Sequence, residues 1–316
     1  MKKTALVTGA EGFIGSHLVR FLQAKGWKVV GTYRLHGYHS FPKEPNLSFV
    51  QCDLRNGQRL EQIFKEYEPT HVFHLAAQSL PTVSWADPVE TFESNIMGSL
   101  YLFEAARHRN RPPVVVSACS SAEYGRVPES FIPVTEAQQL QPLHPYGISK
   151  VCLDLLAREY FLDHSIPAVN IRLFNTTGPG KTNDAPSDFV RQLIRIRQGL
   201  QAPVIEVGNL KPHRAFLDVH DAVFGFYLAA TKGKRGEAYN LCAEKTYPIA
   251  EVLHTAIRLS GLKKVEVRAV PHLMRPSDEK IIFGSSKKFF RDTGWKPRFS
   301  LAETLRSMLE YWEEKA

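Results

Sequence analysis

Tyr146 and Lys150, four residues apart in the stretch HPYGISK, could work as a proton donor and the cation that tunes it. A phenol and an ammonium at that spacing sit side by side on one helical turn, which is equally the arrangement of many incidental neighbours. The stretch alone does not choose between the two readings. A second stretch, TGAEGFIG at residues 8–15, spaces Gly9, Gly12 and Gly15 three apart. It closes an apolar run and opens an amphipathic one. There, glycines make a tight turn, admit a pyrophosphate to the backbone and let helix pack on strand, while the helix N-terminus attracts the anion. The spacing is G-x-x-G-x-x-G rather than the commoner G-x-G-x-x-G, and the alternative is a turn that holds nothing. Strand, glycines, helix and second strand in succession point to dinucleotide binding, with Phe13 and Ile14 carried along as lining residues.

The second apolar run ends GTYR. A site specific for NAD would offer a carboxylate to the ribose hydroxyls there, and Arg34 offers instead a donor fork that suits a 2′-phosphate. NADP(H) is therefore the favoured cofactor. NAD(H) stays open if Arg34 only stacks on adenine or faces solvent. Asp53, closing LSFVQCD with Leu54 behind it, is a candidate for the adenine amino group, and Leu75, Ala76 and Ala77 of HLAAQS would line the cofactor from the fourth strand.

Short apolar runs alternate with longer amphipathic ones, the mark of an α/β fold with a doubly wound, Rossmann-type parallel sheet. TALVT, KVVGTY, LSFVQCD, HVFHLAA, PVVVSA and AVNIRLF read as strands. FIGSHLVRFLQAK, RLEQIFKEY and the stretches Pro88–His108 and Pro145–His164 read as helices. Asp87, Pro88 and Glu90 supply a cap, a first-turn proline and a carboxylate near the positive helix end. From about residue 175, glycine, proline, asparagine and aspartate cluster in NTTGPGKTNDAPSD. The division this suggests is a dinucleotide-binding domain at 1–175 and a smaller α/β substrate lobe at 176–316, with segments crossing back. The last helix starts at SLAE, where Ser300 and Glu303 can cap each other's amides.

The chain has 316 residues, 43% hydrophobic and 23% charged, the composition of an ordinary globular protein. No apolar stretch reaches the roughly 20 residues that span a bilayer, and MKKTALVTG runs into a strand pattern without a cleavage site. A cytoplasmic protein with no membrane association is the expectation. Four scattered cysteines show no metal or redox spacing, so no metal is expected. The net charge of +8 is spread singly or in pairs. Without interleaved aromatics it points away from nucleic acid and toward a small phosphate-bearing substrate.

The glycine loop, HLAAQS, Asn95 in ESNIMG, SSAEYG and YGISK come in an order that resembles the extended short-chain dehydrogenase/reductase family over nearly the whole chain. AAQSLPTVSWADPVETFESNIMGSL is similar to its GDP-sugar branch, the GDP-mannose 4,6-dehydratases and GDP-4-keto-6-deoxy-D-mannose reductases. PLHPYGISK, RLFNTTGPG, VGNLKPHRAFLDVHDAV and RPSDEKIIFGSSKKFFRDTGWKP look more like the reductases. The resemblance implies that Tyr146 is the acid/base, that Lys150 lowers its pKa from about 10 and holds the nicotinamide ribose, and that Ser120 bonds the substrate oxygen. Ser121 is the rival hydroxyl. Asn95 is implied at the cofactor, and Ser79, Asn175, Arg214 and Arg275 at the nucleotide sugar.

Dehydratases of this branch resemble T-x-E at 120–122, with the glutamate taking a proton from C5, where this chain has Ala122. Glu123 is adjacent, and in an extended segment it would face the other way. Where relatives commonly read R-D-F, Arg214 is followed by Ala215 and Phe216. The expected activity is NAD(P)H-dependent reduction of the 4-keto group of a nucleotide-linked 6-deoxyhexose, GDP-4-keto-6-deoxy-D-mannose to GDP-D-rhamnose, by a homodimer. A nucleotide-sugar epimerase, a dehydratase with another base and a non-catalytic dinucleotide sensor are the competing readings.

Overall fold

A computed structural model describes residues 3–34, 44–274 and 281–315. Seven strands form one parallel sheet: β1 Thr4–Thr8, β2 Lys28–Tyr33, β3 Leu47–Gln51, β4 His71–His74, β5 Val114–Ser120, β6 Ala168–Leu173 and β7 Ala238–Leu241. Their order is β3-β2-β1-β4-β5-β6-β7, so the chain reverses direction across the sheet between β1 and β4. In doubly wound folds that switch point, at the carboxyl ends of the strands, is where ligands bind.

Helices cover both faces because each carries one apolar stripe that must leave water. On one face lie α1 (Phe13–Ala24) and α8 (Val219–Lys232), whose Leu18, Leu22 and Phe226 are fully buried against the sheet. On the other lie α2 (Gly57–Tyr67), α5 (Gly98–Arg107) and α6 (Pro145–His164), which bury Leu60, Phe64, Phe103 and Ala157. Each large apolar side chain so buried contributes roughly 1.5–3 kcal/mol relative to exposure. A separate core forms where α7 (Ala185–Arg197), α9 (Ile249–Ser260) and α10 (Leu301–Glu314) pack around the parallel strand pair Val204–Val207 and Glu266–Ala269. The later half of the chain also returns to the main sheet, since β7 pairs with β6 and α8 packs on it.

Several boundaries follow from local chemistry. Asp87 accepts the Glu90 amide at 3.0 Å and Ser300 the Glu303 amide at 3.3 Å, with Glu303 returning the bond to Ser300. The stretch expected as one helix from Pro88 is α4 (Pro88–Phe92), a wider π-turn at Glu93–Met97 and then α5. An unexpected short helix, α3 (Pro81–Ala86), precedes it. The reading of residues 121–123 as extended is corrected: β5 ends at Ser120 and Ser121–Glu123 is a 3₁₀ turn. Among the described residues no helix is long and apolar enough to cross a membrane.

Candidate active site

A cleft of about 1030 Å³ runs along the carboxyl ends of β1, β2, β4, β5 and β6. It is lined by the sequence-derived candidates Gly9, Gly12, Phe13, Ile14, Gly15, Arg34, Asp53, Leu54, Leu75, Ala76, Ala77, Ser79, Ser120, Ser121, Tyr146, Lys150, Asn175 and Arg214. Asn95 does not line it, and Arg275 lies outside the described residues.

The glycine loop is shaped by close approach. Gly9 has φ +67°, and a Cβ on it would meet the Ala76 Cα at 2.9 Å; one on Gly15 would meet the Gly9 oxygen at 2.0 Å. Only hydrogen fits at either position. Gly12 caps α1 without a side-chain bond, no acidic residue occupies its first turn, and Gly12, Phe13, Ile14 and Gly15 line the cleft, bringing the first-turn amides of α1 to its wall. That is the donor set a pyrophosphate needs, and the residues present fit a dinucleotide.

Behind the loop, a buried chain of hydrogen bonds sets its height. Ser99 Oγ donates to the Asn95 carbonyl, so it accepts from His74 Nε2 at 2.9 Å. His74 Nδ1 then accepts from Thr8 Oγ1 at 3.0 Å, and the Thr8 oxygen accepts the Leu75 and Ala76 amides at 3.1 and 3.2 Å. Each donor in this chain has one acceptor only while His74 is neutral, and burial holds its imidazole down at about 3. Asn95 continues the chain: its Oδ1 accepts the Gln78 amide at 2.8 Å and its Nδ2 donates to the Gln78 carbonyl and to Ser149 Oγ, both at 2.9 Å. Through these bonds Asn95 ties the loop after β4 to α6.

At the centre of the cleft, α6 opens with Pro145 at its first position and His144 as its cap, Nδ1 accepting the Gly147 amide at 3.0 Å. The His144 ring stacks on Tyr146 with centroids 5.9 Å apart. Ser149 Oγ donates to the Tyr146 carbonyl at 2.7 Å, and Lys150 Nζ donates to the Ala118 carbonyl at 2.8 Å. The Tyr146 phenol and the Ser120 hydroxyl both line the cleft, close enough for the serine to favour the charged phenol. Burial pushes the Tyr146 phenol up to about 12 against the opposing pull of Ser120, while burial lowers Lys150 itself. Desolvation disfavours both charged forms, so the site favours a protonated phenol. Ser121 also lines the cleft, so both hydroxyls are on hand.

The adenosine end is built differently. Arg34 Nη1 lies 2.8 Å from Glu90, which also receives Arg55 at 2.7 Å, and Arg55 forks onto Asp53 at 2.6 Å. Glu11 Oε1 accepts the Arg34 amide at 3.1 Å. Sequence reasoning missed Glu11, Arg55 and Glu90, whose meeting spans three separate segments. It also missed His144 and Lys181, which line the cleft, although a lysine following GPG could have been flagged. Lys181 lies 5.1 Å over the Phe13 ring with burial lowering its pKa. Among the described lining residues the only acids are Glu11 and Asp53, both at the adenosine end, and none stands beside Tyr146.

The family model described as GDP-mannose 4,6 dehydratase matches residues 6–308. A GDP-6-deoxy-D-mannose reductase of Pseudomonas aeruginosa is 30% identical, over 100% of this chain and 99% of that protein. The structure of RMD from Pseudomonas aeruginosa complexed with NADPH superposes with a TM-score of 0.87 at 28% identity, over 100% of both chains. The Thermus thermophilus UDP-glucose 4-epimerase with NAD gives 0.86 at 30% identity, over 98% of each chain.

Proposed function

The chain belongs to the GDP-mannose 4,6-dehydratase family of NAD(P)-dependent nucleotide-sugar enzymes, and from that premise we propose that it is a 4-ketoreductase. Its substrate in this reading is a nucleotide-linked 4-keto-6-deoxyhexose, GDP-4-keto-6-deoxy-D-mannose, and its product GDP-D-rhamnose. The observation that carries the reading is the Ser120–Tyr146 hydroxyl pair beside Ala122, with no carboxylate around it among the described lining residues. Elimination of water across C5 and C6 needs a base there. Ketone reduction needs only a proton donor.

When bound, the reduced nicotinamide supplies the hydride. The chain's own part is to polarise and protonate the substrate oxygen. Ser120 and Tyr146 present two hydroxyls to it, and Tyr146 gives up its phenolic proton as negative charge develops there. Lys150, 4% exposed and bonded to the Ala118 carbonyl, places a cation beside the phenolate left behind. Asn175 and Arg214, lining the same cleft, are assigned to the diphosphate and ribose.

NADPH is the proposed reductant, supported by the two guanidinium groups of Arg34 and Arg55, which would exchange Glu90 for a 2′-phosphate. A homodimer is supported by Ile148, Leu155 and Leu162, exposed at seven-residue intervals along α6, and by exposed Val89 and Met97 on the preceding helices. A second copy covering that row is broken by Leu155→Glu, read as a shift to monomer in sedimentation.

The test is coupled turnover. GDP-mannose is first converted by a dehydratase, and NADPH absorbance is followed after this protein is added. Oxidation proportional to keto-sugar supports the reading. Isomerised sugar without net oxidation selects an epimerase, and a 4-keto product from GDP-mannose alone selects a dehydratase.

A further inference from the structure

Directly behind the hydroxyl pair lies a buried acid that the reaction above does not use. β5 stops at Ser120, the chain turns through Ser121–Glu123, and the Glu123 side chain folds back so that Oε1 accepts the Ser120 amide at 2.7 Å. Ser120 Oγ in turn accepts the Ala122 amide at 3.1 Å. This reciprocal cap fixes Ser120 in both backbone and rotamer, in the cleft wall that it shares with Tyr146.

The other oxygen of Glu123 is the unusual one. Glu123 is 0% exposed and its Oε2 accepts no hydrogen bond. Arg172 Nε, 3.4 Å away, is committed to Asp154 Oδ2 at 2.7 Å. Asp154 also accepts Asn170 Nδ2 at 3.1 Å. Two carboxyls thus share one guanidinium in a buried site, and the remaining positive charge facing them, the Lys150 ammonium, is committed to the Ala118 carbonyl and is itself penalised by burial. Asp154 accepts from both Arg172 and Asn170 while Glu123 Oε2 accepts from neither, so the proton belongs on Glu123, with Oε2 as its carrier and Asp154 as its acceptor. Burial and the Asp154 carboxylate both push the Glu123 carboxyl well above the usual range.

The neighbours agree with a neutral acid. From β5, the Cys119 thiol is raised by burial; from α6, Tyr146, Lys150 and Asp154 face the group; from β6 comes Arg172; and Tyr124 closes the turn, bonded to Arg172 Nη1 at 3.1 Å. Cys119, Glu123 and Asp154 have ligand types a metal could use, but Arg172 already supplies their positive partner. Charge on Glu123 would raise the Tyr146 phenol further, whereas a neutral acid leaves it free to lose its proton.

We propose that Glu123 is the positioning residue of the Ser120–Tyr146 pair: an uncharged carboxylic acid that holds the end of β5 with one oxygen and shares its proton with Asp154 through the other. It rests on the ketoreductase reading, whose proton donor it supports. In Glu123→Leu the cap is lost, and kcat falls on the order of 10- to 100-fold while dinucleotide Kd, measured by nicotinamide fluorescence, stays put. Glu123→Gln keeps an acceptor for Ser120 and a donor for Asp154, and recovers most of that loss. Infrared difference spectra of wild type against Glu123→Gln show, at neutral pH, the carbonyl band of a protonated carboxylic acid in the wild type only. Wild-type kcat retained in Glu123→Leu, no recovery in folded Glu123→Gln, or no such band in the wild type overturns the proposal. Should the wild type reduce no keto-sugar, the ketoreductase reading falls, and the infrared band still decides the state of Glu123.

Discussion

The two ends of the cleft are held by opposite means. Around Tyr146 the supports are buried and mostly neutral: Thr8, His74, Ser99, Asn95 and Ser149 in one chain, Glu123 behind Ser120, and Lys150 on a backbone carbonyl. Around Arg34 they are half-exposed ion pairs among Asp53, Arg55 and Glu90. Buried hydrogen bonds lose heavily when one partner is removed, whereas exposed ion pairs are worth little and rearrange freely. Reacting atoms need fixed geometry, so chemistry belongs at the rigid end. Cofactor preference, which only requires one charge pattern to exchange for another, belongs at the soft one.

The largest test of that contrast is Tyr146→Phe. It removes one hydroxyl and leaves the ring against His144, so kcat falls about 10²- to 10⁴-fold with dinucleotide Kd unchanged in a fluorescence titration. An equal loss of binding would mean that the two ends are not separable. The wild-type pH profile sharpens the same point. With the phenol pushed up to about 12 by burial, ketone reduction stays level through neutral pH and declines only on the alkaline side, as the donor loses its proton.

Next in size is His74. Its folded value of about 3 lies below the unfolded 6.5, so between those limits the unfolded chain binds more protons. Its contribution is present above pH 6.5 and is lost as pH falls toward 3, at up to about 1.4 kcal/mol per pH unit. Urea midpoints at pH 7 and pH 5 should differ by less in His74→Asn than in the wild type. The smallest effect is Arg34→Ala, which raises the KM for NADPH about 3- to 10-fold and leaves that for NADH alone. Steady-state rates with the two reductants decide it, and an equal change for both would assign Arg34 to adenine stacking.

What could be read from residues alone follows the same contrast between local and distant causes. TALVT, KVVGTY and the helix Pro145–His164 match β1, β2 and α6 to the residue, because each is a strong apolar or capped pattern closed by turn chemistry. Most candidates of the cleft were also legible, since strand ends and the glycine loop deliver them to one edge. The π-turn around Asn95 and its bonds to Gln78 and Ser149 are invisible in sequence. Glu123 faces away from the cleft as read, but through a three-residue 3₁₀ turn rather than strand alternation, which no sequence pattern announced and which folds its carboxyl behind Ser120. Arg55 and Glu90 meet only in three dimensions.

The seventh strand carries a consequence for biosynthesis. β7 completes the sheet beside β6, yet it lies far downstream, after α7 and α8. A ribosome that has released everything through β6 therefore holds a sheet whose margin is the six-residue, natively buried β6 in place of the four-residue β7 that borders it in the folded chain, an invitation to strand pairing between nascent chains. Truncation after the first six strands would yield inclusion bodies rather than a small autonomous cofactor binder, and chaperone dependence should end once Leu241 clears the exit tunnel.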